Sequence, residues 1–208
     1  GEKNSMNILV TGGAGFLGSH ICEALSNAGH NVTVFDRIPS PYLLPNQTMQ
    51  IGNLLNQEAL DRAVNGQDIV YHFAGIADID ICANHPIDVV NVNIGGTVRL
   101  LEACRKANVK RFIFASSAYV FSDSGLFYRT SKQACRRRTK LFEQFDAAFY
   151  GFKTDKSLDR PGYSFFDLVA GIFPGGTHFR KMVSGIVRAV CGFILRFFRP
   201  AKCGHQRT

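Results

Sequence analysis

Residues 7–18 read NILVTGGAGFLG. A short apolar run, Asn7 to Thr11, is rich in β-branched residues and stops at a cluster of glycines. Leu17, Ile21 and Leu25 then recur at helical spacing until Gly29. Strand, glycine turn and helix in that order are the opening of a βαβ unit. Gly12 permits a tight turn, Gly15 lets backbone come close to a ligand, and Gly18 lets helix and strand pack closely. A phosphate held over the helix N-terminus would face unpaired N–H groups. A glycine-rich turn that binds nothing is the alternative reading of these twelve residues.

The next strand, NVTVFD at 31–36, supplies the second element of the pattern. It ends in Asp36, 18 residues past Gly18. A carboxylate there accepts hydrogen bonds from both hydroxyls of a ribose and repels a 2′-phosphate, which favours NAD over NADP. Arg37 acts against that preference, since a guanidinium at this place can meet the phosphate.

Further along, residues 39–47 form a loop and residues 56–64 a helix. DIVYHFAG at 68–75 reads as a strand, Pro86 opens a long helix that runs through residue 107, and KRFIFASS at 110–117 reads as another strand. Most strands are apolar on both faces. The expectation is an α/β fold of the Rossmann type, a doubly wound parallel sheet with helices on both faces.

Composition sets bounds. The chain has 208 residues, with 46% hydrophobic and 19% charged, enough for one domain with a sizeable core. GEKNS before Met6 is short and polar. It reads as a tag remnant or upstream read-through and is set aside. No signal peptide is read. Six cysteines, at 22, 82, 104, 135, 191 and 203, form no CxxC pair and no metal-ligand spacing, so no metal is expected. They fit buried, reduced thiols in the cytoplasm. The net charge of +8 is not spread evenly: residues 1–127 carry 8 Lys+Arg against 11 Asp+Glu, and residues 128–208 carry 16 against 5. No nucleic-acid motif accompanies the basic half, and nucleic acid is not an expected partner. The run at 182–198 has 17 residues and two arginines, a poor membrane span.

With GxxGxxG spacing, YHFAG at 71–75 and the N-x-x-G-T of residues 93–97, the sequence resembles the extended short-chain dehydrogenase/reductase family. Within it the likeness is to the nucleotide-sugar epimerase/dehydratase branch. The resemblance implies an NAD site formed by Gly12, Gly15, Phe16, Leu17 and Gly18, with Asp36 and Arg37 at the ribose. It places Asn53 and Leu54 beside the adenine, Asn53 standing where the family commonly has an aspartate. Phe73, Ala74 and Gly75 would line the adenosine and pyrophosphate path. Asn93 would brace the central strand, and Ala115 would lie against the cofactor.

By the same resemblance RFIFASSAYVF ends in the catalytic hydroxyl, which alignment puts at Ser117. Tyr128 and Lys132 form YxxxK. Residues i and i+4 share a helix face, so both side chains reach one nicotinamide ribose. An ammonium nearby favours the phenolate and lowers a pKa that is ordinarily about 10, as general acid–base chemistry at neutral pH requires. Ser117 would donate to the substrate oxygen. Dehydratases of the family follow the catalytic hydroxyl with an Asp-Glu pair; Ala118 and Tyr119 stand here. Epimerisation, or oxidation and reduction of a nucleotide-sugar hydroxyl, is therefore the expected activity. The interval from Ser117 to Tyr128, 11 residues, is short for the family.

The resemblance is read over residues 6–135. Arg136 stands where relatives have a glutamate, followed by Arg137 and Arg138. Two units are expected: an NAD-binding unit at 6–138, and an atypical basic, Phe-rich segment at 139–208 in place of the usual substrate lobe. The change of charge suggests a frame-shifted or altered C-terminus; a divergent short lobe and a membrane-touching segment are the alternatives. A non-catalytic dinucleotide-binding protein is the second functional reading, and a homodimer is an open one.

Overall fold

A computed structural model of the chain describes residues 5–121, 123, 125–141 and 148–150. The core is one parallel sheet. Its strands are β1 (Asn7–Thr11), β2 (Asn31–Asp36), β3 (Gln47–Ile51), β4 (Ile69–His72), β5 (Arg111–Ala115) and β6 (Ala148–Tyr150). They lie in the order β3-β2-β1-β4-β5-β6. The order reverses between β1 and β4, and ligands of such sheets bind in the crevice at the carboxyl ends of the strands beside that reversal. Thr11 pairs with His72, and His72 with Phe114, so β1, β4 and β5 end level with one another at that crevice.

Alternation along the strands builds two cores, because successive side chains leave a strand on opposite faces. Leu9, Phe35, Val70, Phe112 and Phe114 point to one face and bury Leu60, Leu100, Leu101 and Cys135 of the helices there. Ile8, Val10, Val34, Tyr71 and Ile113 point to the other face and bury Ile21, Cys22 and Leu25. The helices are α1 (Phe16–Asn27), α2 (Gln57–Val64), α3 (Ile79–Asn84), α4 (Pro86–Val89), α5 (Gly96–Lys106) and α6 (Leu126–Leu141). Leu60, Leu100, Leu101 and Phe112 are completely enclosed, and cutting one of them to alanine costs roughly 2–5 kcal/mol.

The doubly wound parallel sheet expected from the sequence is present. Four details differ from expectation. A strand at 47–51 follows the loop after β2. The long helix from Pro86 is one helical run containing a π-helical turn at Val90–Gly95, between α4 and α5. Short α3 precedes it, its N-terminus capped by Asp78, whose carboxylate accepts from the Ile81 N–H at 3.0 Å. β6 pairs with β5 from Ile113 to Ala115, so the sheet runs past residue 138, where the sequence reading placed a boundary. Residues 151–208, which make up most of the atypical segment, lie outside the described residues. Cys22, Cys82, Cys104 and Cys135 are buried and form no disulfide. Burial raises the Cys22 thiol to about 12, so it stays a neutral core group. Among the described residues no helix is long and apolar enough to cross a membrane, and no group of side chains is arranged to hold a metal ion.

Candidate active site

The glycine turn divides its requirements between the fold and a ligand. Gly12 has φ +74, and a Cβ on it would lie 2.5 Å from the Ala74 nitrogen. A Cβ on Gly18 would collide with the Gly12 carbonyl oxygen and lie 2.8 Å from the Gly13 Cα. Both glycines are therefore demanded by the protein's own packing. Gly13, which the sequence reading passed over, is a third: its Cβ would lie 2.7 Å from the Val34 side chain. Gly15 is different. Its backbone is extended, it is exposed, and its Cβ would approach only the Gly12 oxygen, at 3.2 Å. Nothing in the fold fills that space, so the lack of a side chain there suits a group arriving from outside. Gly15 caps α1 with no side-chain hydrogen bond, and the first turn of α1 holds no acid. The N–H groups of Phe16, Leu17 and Gly18 thus head a helix whose partial positive charge is uncompensated by a side chain. These features fit a pyrophosphate.

Asp36, at the end of β2, faces this turn. Its carboxylate accepts from the Ala14 N–H at 3.0 Å and from the Arg37 N–H at 2.7 Å. It is half-buried and Arg37 is exposed. Asn53 is exposed, and its side-chain oxygen accepts from the Leu55 N–H at 3.0 Å, holding its own turn. Leu54 is a core residue; a Cβ on Gly96 would lie 2.8 Å from it.

The loop after β4 lies against the same turn. Phe73 N–H donates to the Thr11 carbonyl at 3.0 Å. Asn93 sits in the π-turn, 4% exposed, and clasps Ile76 from both sides. Its side-chain oxygen accepts from the Ile76 N–H at 2.7 Å, and its amide donates to the Ile76 carbonyl at 2.9 Å. The same amide reaches Ser131 of α6 at 3.1 Å. Asn93 therefore braces the loop that follows the central strand and ties it to the helix of the YxxxK motif. A side chain on Gly75 would meet the Asn93 oxygen at 2.9 Å.

Ser117, Tyr128 and Lys132 come together beyond the end of β5. The Ser117 side chain hydrogen-bonds the Tyr128 phenol and accepts from the Tyr119 N–H at 3.3 Å. Tyr119 also packs edge-on against the Tyr128 ring, centroids 6.0 Å apart. Lys132 is 8% exposed and donates to the Ala115 carbonyl at 3.1 Å. Its Nζ lies 5.7 Å from the centre of the Tyr128 ring and 4.8 Å from that of Phe114. Gln133 donates to the Val120 carbonyl at 2.9 Å, fixing the turn after Ser117 to α6. The side chains of Arg136, Arg137 and Arg138 are outside the described residues.

The expected lowering of the tyrosine pKa is not what the protein alone produces. Burial raises the Tyr128 phenol, and the Ser117 hydrogen bond only opposes that. Lys132 is itself lowered to about 8 by burial. An ammonium enclosed among apolar groups loses hydration, which disfavours its charged form.

One group in this crevice is missed by sequence reasoning. His72 is buried between Thr11 and Thr97. Its Nδ1 lies 2.6 Å from the Thr11 hydroxyl and its Nε2 lies 2.9 Å from the Thr97 hydroxyl. Burial, and secondarily Lys132, lower it to about 3, so the ring is neutral. A lone histidine in an apolar strand carries no sequence signal until its partners are placed.

Comparison with known proteins bears on this arrangement. The family model of the NAD dependent epimerase/dehydratase family matches residues 8–139. A UDP-glucose 4-epimerase of Schizosaccharomyces pombe is 33% identical over 192 residues, 82% of this chain and 52% of the relative. A UDP-glucose 4-epimerase of Klebsiella pneumoniae is 35% identical over 130 residues, 57% of this chain and 94% of the relative. Among solved structures, the UDP-glucose 4-epimerase of Thermus thermophilus in complex with NAD superposes with a TM-score of 0.65 at 27% identity. That match covers 70% of this chain and 54% of the other. The chain thus spans about half the length of the yeast relative and of the Thermus enzyme. The yeast match also reaches past residue 138, since residues 6–138 are a smaller part of the chain than the 82% it covers. Likeness to that relative therefore continues into the segment that the sequence reading set apart.

Proposed function

This chain belongs to the NAD dependent epimerase/dehydratase family, and we propose that it binds NAD and acts on a hydroxyl of a nucleotide sugar, as an epimerase or related oxidoreductase. The observation that carries the reading is the proximity of Ser117, Tyr128 and Lys132 beyond the carboxyl end of β5. The relatives named as UDP-glucose 4-epimerases support a nucleotide sugar as the substrate class.

The proposed roles are as follows. Gly15 and the head of α1 receive the pyrophosphate. Asp36 accepts from the ribose hydroxyls with the lone pairs that Ala14 and Arg37 leave over. Lys132 spends one of its three donors on Ala115, which leaves two for ribose hydroxyls. Ser117 orients the phenol and offers a hydrogen bond to the sugar oxygen. Tyr128, once deprotonated, takes the hydroxyl proton on its phenolate oxygen and gives it back. The chemistry that NAD supplies when bound is the acceptance and return of a hydride. A positive charge beside the phenol lowers its pKa, so loading the site opposes the burial that raises Tyr128.

A second reading is a dinucleotide-binding protein without turnover. The raised Tyr128 phenol favours it. The two readings separate in one experiment: calorimetric titration of NAD, followed by addition of UDP-sugars while the absorbance of the reduced nicotinamide is followed. NAD binding with sugar-dependent reduction supports the enzyme. Binding with neither nicotinamide reduction nor conversion of any sugar offered supports the second reading, and absence of NAD binding overturns both. Association of two copies through the exposed Ile87, Val90, Leu126 and Phe127 belongs to the same proposal, and sedimentation at several concentrations tests it.

A further inference from the structure

We propose that His72 is a positioning residue that holds the phosphate loop in register with the helix carrying Tyr128 and Lys132. The proposal rests on the reading of that loop as the NAD site.

The direction of each hydrogen bond in the crevice is fixed by counting protons. Thr97 has one hydroxyl proton and gives it to the Asn93 carbonyl. Its oxygen can then only accept from His72, so the ring proton sits on Nε2. Nδ1 is left as an acceptor and takes the Thr11 hydroxyl proton at 2.6 Å. The Thr11 oxygen in turn faces the Ala74 N–H at 3.5 Å. The result is one directed chain: Ala74 N–H to Thr11, Thr11 to His72, His72 to Thr97, Thr97 to the Asn93 carbonyl.

Each end of this chain meets the proposed site. Thr11 precedes Gly12, whose turn packs on the Ala74 nitrogen. The Asn93 carbonyl also accepts from the Cys135 thiol of α6 at 3.1 Å, and the Asn93 amide bonds Ser131, the neighbour of Lys132. The imidazole is 1% exposed and packs between Phe112 and Phe114. It is a rigid spacer with an acceptor on the loop side and a donor on the helix side.

Three variants of the full chain separate the halves. His72→Asn places an amide oxygen near the Nδ1 position and keeps the acceptor toward Thr11. His72→Gln places an amide nitrogen near the Nε2 position and keeps the donor toward Thr97. His72→Phe keeps neither. NAD affinity is measured by calorimetry well below each variant's melting temperature, with amide hydrogen exchange of residues 73–76 and 128–135 alongside. We expect His72→Asn to bind NAD within about threefold of the unchanged chain, and His72→Gln and His72→Phe to lose about tenfold or more. Exchange should quicken in 73–76 for Gln, in 128–135 for Asn, and in both for Phe. A purely structural histidine would lower the melting temperature of all three and leave affinity and the two exchange patterns undivided, which would overturn the proposal. If His72→Phe does not fold, the Asn and Gln pair decides alone. If the unchanged chain binds no NAD, the proposed function fails, and the exchange patterns still support or overturn the positioning role.

Discussion

The ammonium of Lys132 donates to the carbonyl of Ala115 at 3.1 Å, so α6 is fastened to the last residue of β5, two positions before Ser117. That bond brings the two ends of the Ser117–Tyr128–Lys132 set to one place. It is made in a buried setting, and the setting has a cost.

Lys132 has a folded-state pKa of about 8 against an ordinary 10.5. Between those values the unfolded chain binds more protons than the folded one, so stability rises as pH climbs through that window. Below about 8 the full penalty remains, on the order of 3 kcal/mol before the Ala115 bond is counted. Lys132→Met, similar in shape and uncharged, should therefore melt several degrees higher than the unchanged chain at neutral pH while binding NAD more weakly. The gap in melting temperature should narrow as pH approaches 10.5. Thermal unfolding across that range checks it, and a Met variant less stable at neutral pH would contradict it.

The glycine turn gives opposite outcomes at neighbouring positions. Gly15→Val should fold with at most a small loss of melting temperature, its Cβ meeting only the Gly12 oxygen at 3.2 Å, and should not bind NAD, because the side chain occupies the proposed approach of the pyrophosphate. Gly18→Ala should lose roughly 2 kcal/mol or more of stability, since its Cβ has no room beside the Gly12 carbonyl. Calorimetry with NAD and denaturant unfolding separate the two effects.

Asp36 should set the choice of cofactor. NAD should bind more tightly than NADP to the unchanged chain, and Asp36→Asn should narrow the difference by about tenfold, by removing the charge that repels a 2′-phosphate. The substitution keeps one oxygen for the Ala14 N–H, so the loop remains. Equal binding of the two dinucleotides by the unchanged chain would mean that Arg37 dominates.

Ser117→Ala and Tyr128→Phe should both keep NAD affinity within about threefold, as neither removes a proposed ribose donor. Tyr128→Phe should lower turnover by about 10²–10⁴, the range for loss of a general acid–base group. Ser117→Ala should cost less, since water can occupy the place of its hydroxyl. Steady-state rates on the same UDP-sugar give the order, and a fully active Tyr128→Phe would refute the assignment.

Most of the sheet was legible because buried parallel strands are apolar on both faces and stand out as runs. β3 was not, since QTMQI lies at the sheet edge with its side chains half-buried or exposed, leaving no apolar pattern to read. α3 has six residues, too few for a helical period, and its only signal is the Asp78 cap. The π-turn at Val90–Gly95 is invisible to a period of 3.6 because it inserts one extra residue into an otherwise regular helix. The glycine turn was legible as a turn because Gly12 and Gly18 each have a separate packing reason, whereas Gly13, held against Val34 of the next strand, was not. The state of Tyr128 was not: spacing showed that Lys132 shares its face, but burial, which raises the phenol, depends on packing from β5 and the turn after it. His72 was silent for a related reason. Its role depends on two threonines that lie 61 and 25 residues away in the chain.

The most direct test of the account is product analysis after incubating the chain with NAD and UDP-glucose or UDP-galactose, beside Tyr128→Phe prepared in the same way. The unchanged chain should interconvert the two nucleotide sugars, or oxidise one with formation of reduced nicotinamide, and Tyr128→Phe should do neither. Tight NAD binding with no change in any nucleotide sugar offered would contradict it and leave a dinucleotide-binding protein without turnover.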